Sequence, residues 1–161
     1  CLVGSEMCIR DRSKFFQLLV AIIFLVSSIN IFAIEMSTEE TIKARKAMFK
    51  QNYSYAKKMS AAIKKDDKET ISDLAIKMSE NYKKLIDYFP DDSKDGFKTE
   101  ALPSIWEKKE EFNALMMKAA NEANDFSMMV NNLMGDELKD LQKKMIWSQC
   151  KSCHDKFRMP H

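Results

Sequence analysis

The sequence predicts an all-α protein, an antiparallel up-down-up-down four-helix bundle. Three observations carry this. Glycine and proline are scarce, with three of each in 161 residues, where average usage is about 7% and 5%. Apolar residues recur every three or four positions, the helical period. Beyond position 33 the breakers fall only at Pro90, Gly96, Pro103, Gly135 and Pro160, so long segments alternate with short links and one longer loop. No strand pattern competes.

The first helix is expected over about Glu39 to Lys65, with Ser37 or Thr38 as N-cap and Glu39 and Glu40 in the first turn, where the helix dipole favours acid. Ile42, Phe49, Ala56 and Ile63 lie seven apart and form one seam; Arg45, Asn52 and Met59 lie beside it. At 1.5 Å per residue this rod is about 40 Å long. The polar run Lys64 to Lys68 gives a turn.

The second helix is expected from Glu69 to Phe89, with Ile71, Leu74, Met78, Tyr82, Leu85 and Phe89 as its stripe. Asp91 to Leu102 form the long loop. The third helix starts at Pro103, a residue suited to the first helical position. Its buried face is Ile105, Phe112, Met116, Ala119, Ala123, Phe126, Val130 and Leu133, and Gly135 closes it. The fourth runs from Asp136 to Arg158: Leu138, Leu141 and Met145 begin its inner face, and Cys150, Cys153, His154 and Phe157 continue it.

The N-terminal region reads as targeting rather than fold. Phe15 to Ala33 carry no charge and follow Arg10, Arg12 and Lys14. A basic flank, an apolar run, a polar break at Ser27, Ser28 and Asn30, and a small residue at Ala33 make a secretory signal. The unbroken apolar core, Leu18 to Val26, is about nine residues, short of the roughly 20 that a membrane span needs. Residues 13–33 are therefore expected to be a cleaved signal peptide, with residues 34–161 as the bundle, periplasmic and free of the membrane. Residues 1–12, CLVGSEMCIRDR, look like non-native adapter read-through.

Formal net charge is +2 with no basic stripe, so nothing points to nucleic acid. There is no glycine-rich phosphate loop and no pattern of hydrolytic or transferase catalysis, so the chain is not expected to be an enzyme. The one chemical motif is Cys150-Lys151-Ser152-Cys153-His154. Cys-x-x-Cys-His reads as a c-type haem attachment site. Two thiols three residues apart on a helix share a face and can add to the two vinyl groups on one porphyrin edge; the next residue offers an imidazole to the iron. Three blander readings stand beside it: a structural disulfide, a thioredoxin-like redox pair, and a zinc site needing further ligands. A cofactor-free helical disulfide module is the corresponding alternative for the whole chain.

At these residues the sequence resembles cytochrome c′, the class II c-type cytochrome family. The resemblance runs from Thr41 to Arg158 and rests on IKARKAMFK, YFP, PSIW and CKSCHDKFR. It implies one covalent haem c per chain, held near the C-terminal helix. Cys150 and Cys153 match the thioether positions and His154 the proximal ligand. Arg158 matches a basic residue close to the iron-bound imidazole. Arg45 matches an arginine near a haem propionate. For both arginines a solvated surface charge is the alternative.

The resemblance also implies that Phe49, four residues after Arg45, packs over the open face of the iron. A phenyl ring cannot coordinate, so the haem would be five-coordinate and high-spin, open to NO and CO. Met48, next door, is the rival: a thioether ligand would give a six-coordinate low-spin electron carrier. Met48 and Phe49 point about 100° apart, so only one faces the iron. Core packing is the plain reading of Phe49, and of Met59, Met78, Met116, Met145, Trp106, Phe112 and Phe126. His161 reads as a frayed tail. The resemblance further implies a homodimer through the first two helices, with Tyr53, Tyr55 and Tyr82 as candidate surface residues.

Overall fold

The computed structural model describes residues 36–160. The expected read-through segment, the signal peptide at 13–33 and the tail at His161 lie outside the described residues. Those residues form an all-α four-helix bundle. No described helix is long and apolar enough to cross a membrane.

The first rod is α1, Thr38–Ile63. Ser37 is its N-cap, and a capping box forms: Glu40 N–H donates to Ser37 Oγ at 3.3 Å, while the Glu40 carboxylate accepts from Ser37 N–H at 2.9 Å. The turn that follows carries Asp66 in the left-handed region, φ 53. Asp67 then caps α2, Lys68–Leu85, by accepting from Thr70 N–H at 3.1 Å. α2 stops four residues before the expected Phe89. A single 3-10 turn, Ile86–Tyr88, intervenes, and Phe89 sits at φ −128, ψ 56. Pro90 is the physical cause, because its ring disfavours α geometry in the residue before it.

The third rod is broken. α3 is a short piece, Ser104–Glu107, with Pro103 as its N-cap rather than its first residue. Lys108 (φ −122, ψ 47) interrupts the helix before α4, Lys109–Met129, begins. α3 is fixed by its own ties: the Trp106 indole donates to Pro90 O at 3.0 Å and Ser104 Oγ to Lys156 O at 3.1 Å. A 3-10 turn, Val130–Asn132, follows α4.

The fourth rod is continuous from Gly135 to Phe157 but not uniform. α5, Gly135–Gln142, passes into a π-helical turn, Lys143–Trp147, and then into α6, Ser148–Phe157. Gly135 (φ 54) opens this rod instead of closing the third. The π turn has a register consequence. Leu138, Gln142 and Met145 are buried at spacings of four and three; Ile146, immediately next, is buried too. From Ile146 the inner face runs on through Cys150, Cys153 and Phe157. The inner stripe has slipped by one residue, as an added residue in a helical turn requires. Ahead of the turn, Leu141, expected inside, is half-buried, and Gln142 is the inward residue, 2% exposed. Its Nε2 donates to Ala56 O at 2.9 Å and its Oε1 lies 2.9 Å from Ser60 Oγ, tying this rod to α1.

The long loop is anchored to the chain's end. Leu102 N–H donates to Phe157 O at 3.0 Å and Met159 N–H to Glu100 O at 2.8 Å, around an antiparallel bridge between Ala101 and Arg158. The core holds the expected residues of the second and third stripes, with Leu133 only half-buried. Tyr82 is buried at 7% and cannot serve a surface contact; Tyr53 is exposed and Tyr55 half-buried.

Candidate functional site

A cavity of about 430 Å³ opens between α1, α2, α4, α6 and the long loop, within the range of small-molecule and cofactor sites. α1 contributes Arg45, Phe49 and Asn52; α2 contributes Tyr82; α4 contributes Phe112, Leu115 and Met116. Facing them on α6 are Cys150, Cys153 and His154, with Arg158 just beyond and Glu100 on the loop. The walls are mainly hydrocarbon. Six of the seven residues expected at the site are thus brought to one cavity. The seventh, Met48, is half-buried and is not among the residues lining it.

The register slip explains why α6 presents both cysteines inward. They lie one turn apart, and neither is in a disulfide. Burial raises the Cys150 thiol above its ordinary value; burial, then the neighbouring Cys150, pushes Cys153 up to about 11. Exchange chemistry needs the opposite shift, a thiol whose pKa is lowered. His154 is exposed on the same wall. No group of three or more His, Cys, Asp or Glu side chains able to hold a metal ion exists among the described residues, so the zinc reading gains no further ligands.

Arg45 is not a solvated charge. It is 2% exposed. Nη1 donates to Ser93 Oγ at 2.9 Å and Tyr88 O at 3.3 Å; Nη2 donates to Ser93 O at 2.9 Å and Thr99 Oγ1 at 2.7 Å. The guanidinium also lies over the Phe89 ring, 4.7 Å from its centroid. Every acceptor it reaches through these bonds is neutral. Desolvation draws its pKa down to about 10, so it stays charged at neutral pH. A buried cation among neutral acceptors at a cavity wall favours an anionic group in that cavity.

Arg158 is ion-paired with Glu100, Nε to Oε2 at 2.9 Å and Nη2 to Oε2 at 2.7 Å. Its backbone N–H donates to His154 O at 3.3 Å. It is a wall residue beside His154, held by the loop that the terminal bridge anchors.

The helical period puts Asn52 beside the seam and Tyr82 on the second stripe or at the surface, with no site role for either. Both line the cavity. The available signal was an amide on a buried stripe, since buried polar groups need partners.

The residues fit a covalently held haem. Two unpaired thiols share one wall with an imidazole, a buried cation marks one end, and hydrocarbon fills the rest. The comparisons agree. A family model described as Cytochrome C' matches residues 40–158. A cytochrome c' of Rhodopseudomonas palustris is 34% identical over 129 residues, covering 74% of this chain and 82% of that protein. The solved cytochrome c' from Rhodopseudomonas palustris superposes with a TM-score of 0.66 at 32% identity, covering 74% of this chain and 96% of that one. The cytochrome c' from Thermochromatium tepidum shares the fold, with a TM-score of 0.69, 18% identity, and coverage of 78% and 98%.

Proposed function

The chain belongs to the cytochrome c′ family, whose members carry covalent haem c, and from that premise we propose that Cys150 and Cys153 hold the haem, His154 ligates its iron, and Phe49 closes the opposite face without coordinating. The family implies haem-based electron transfer or gas binding. When bound, the haem supplies an Fe(III)/Fe(II) couple and one coordination position for small ligands.

The chain's own residues decide how that position is used. The Phe49 ring lines the cavity and offers no lone pair, so it would leave a haem held there an uncoordinated but crowded position. Small uncharged gases, NO and CO, are the ligands that such a hydrocarbon wall admits; larger or charged ones meet steric and desolvation penalties. Arg45, a cation that the Ser93 and Thr99 oxygens orient, would hold the acidic edge of the haem. Cys150 and Cys153 make the attachment permanent. The single observation that carries the reading is that Phe49 lines the cavity and Met48 does not.

The protein works in the periplasm, exported by residues 13–33, as a haem protein for electron transfer or gas binding and not as an enzyme. Its charge-free stretch behind a basic flank supports the export. Tyr53 and Ile76, exposed on α1 and α2 at 56% and 43%, supply apolar surface for a homodimer.

The ferrous optical spectrum of the holo-protein tests the open site. A broad high-spin spectrum that changes on adding CO is expected. A sharp six-coordinate low-spin spectrum, indifferent to CO, would reject it.

A further inference from the structure

The cavity wall beside Cys150 carries polar groups of its own, away from Arg45. Tyr82 is 7% exposed and its hydroxyl lies 3.8 Å from Cys150 Sγ. While Cys150 is a thiol, either atom can be the donor. Behind Tyr82 stands Asn52, 3% exposed. Its Oδ1 accepts from Asn81 Nδ2 at 3.1 Å, and Asn81 also donates to Gln51 Oε1 at 3.1 Å. These two bonds fix which way the Asn52 amide faces. Its Nδ2 is buried and meets no acceptor within hydrogen-bond geometry. The amide is nonetheless close enough to Tyr82 to draw the phenol's pKa down, against the larger upward effect of burial.

A buried amide donor without an acceptor is destabilising, and methionine or leucine at the same place would avoid that cost. Attachment of the haem would fix the order of donors in this group. The Cys150 thiol adds across a vinyl double bond: sulfur bonds to one carbon, its proton goes to the other, and no oxidant is consumed. The sulfur then has no hydrogen and can only accept. Tyr82 must donate to it, so the phenolic oxygen accepts nothing from sulfur and is open to a hydrogen from Asn52 Nδ2. The donors then run one way, from Asn81 to Asn52 to Tyr82 to sulfur, and bonds aligned in series polarise one another.

We propose that Asn81, Asn52 and Tyr82 form a hydrogen-bond relay ending on the Cys150 sulfur, which draws electron density from the haem edge and raises the Fe(III)/Fe(II) potential. Hydrogen bonds to the groups that hold a haem are an established lever on its potential. The relay rests on the attachment proposed above, and Tyr82 and Asn52 are positioning residues within it.

Potentiometric titration of holo-protein carrying Tyr82→Phe tests it. The phenyl ring keeps the packing and only the hydroxyl is lost. The ferrous-to-ferric ratio at fixed ambient potential should fall about threefold, roughly 30 mV at 59 mV per tenfold, with the spin state unchanged. Asn52→Leu should move the potential the same way by less, and adding it to Tyr82→Phe should do nothing more, since the relay is already cut. Tyr55→Phe, away from the cavity, should have no effect. A Tyr82→Phe protein with full pigment, wild-type spin state and wild-type potential overturns the relay, as does an Asn52→Leu effect that adds in full to it. Failure of the parent reading is distinguishable: a wild-type chain without attached haem shows it before any potential is measured, and overturns both.

Discussion

Arg45 and Ser93, on α1 and in the long loop, are joined twice: Nη1 donates to Ser93 Oγ and Nη2 to Ser93 O, each at 2.9 Å. Ser93 is fully buried, and its hydroxyl is turned by donating to Pro90 O at 2.8 Å, which leaves its lone pairs for the guanidinium. The loop thus holds a buried cation at the cavity wall, and the cation holds the loop.

Ser93→Ala should therefore destabilise the fold by about 1–2 kcal/mol, the cost of a buried charged donor losing an acceptor. Arg45→Leu should cost about 2–3 kcal/mol through its several charge-assisted bonds, and holo-protein should show the larger loss because the acidic edge of the haem loses its cation as well. Urea unfolding of apo and holo forms checks both. Equal losses in the two forms would contradict the assignment of Arg45 to the haem.

Phe49→Ala should open the crowded face. CO association with ferrous holo-protein should quicken by about tenfold, the equivalent of roughly 1.4 kcal/mol off the barrier, while Met48→Ala leaves both spectrum and rate unchanged. Flash photolysis measures the rates. A Met48→Ala protein converted from low to high spin would instead make Met48 the ligand.

Gln142→Leu should lower stability by about 1 kcal/mol through loss of the bonds to Ala56 O and Ser60, measured by thermal or urea unfolding. The pigment should be unaffected, because Gln142 precedes the π turn and does not line the cavity. A change in the haem spectrum would show that the π turn depends on this anchor.

The fold was legible because helical period and scarce breakers agree along the whole described chain. The stripe from Ile71 to Phe89 and the seam through Ile42, Ala56 and Ile63 are buried as their spacing requires. The motif made Cys150, Cys153 and His154 legible as a group, and the resemblance added Arg45 and Phe49. What escaped the sequence is local. The one-residue slip between Met145 and Ile146 lies in a π turn that no glycine or proline announces, and ahead of it Gln142 rather than Leu141 is buried. The break at Lys108 has no glycine or proline to announce it. Tyr82 looks available to the surface because tyrosine suits both a core edge and an interface; its place beside Cys150 depends on α2 and α6 facing each other across the cavity. Arg45 was ambiguous because only the folded loop brings Ser93 and Thr99 to it.

The most direct test of the central claim is the mass of the protein purified, under denaturing conditions, from a host competent in haem ligation, read together with a haem stain on the same denaturing gel. A coloured chain whose mass exceeds that of the polypeptide by one haem, and which loses the increment when both Cys150 and Cys153 are changed to alanine, is the expected result. A colourless chain at the apo mass would contradict the account.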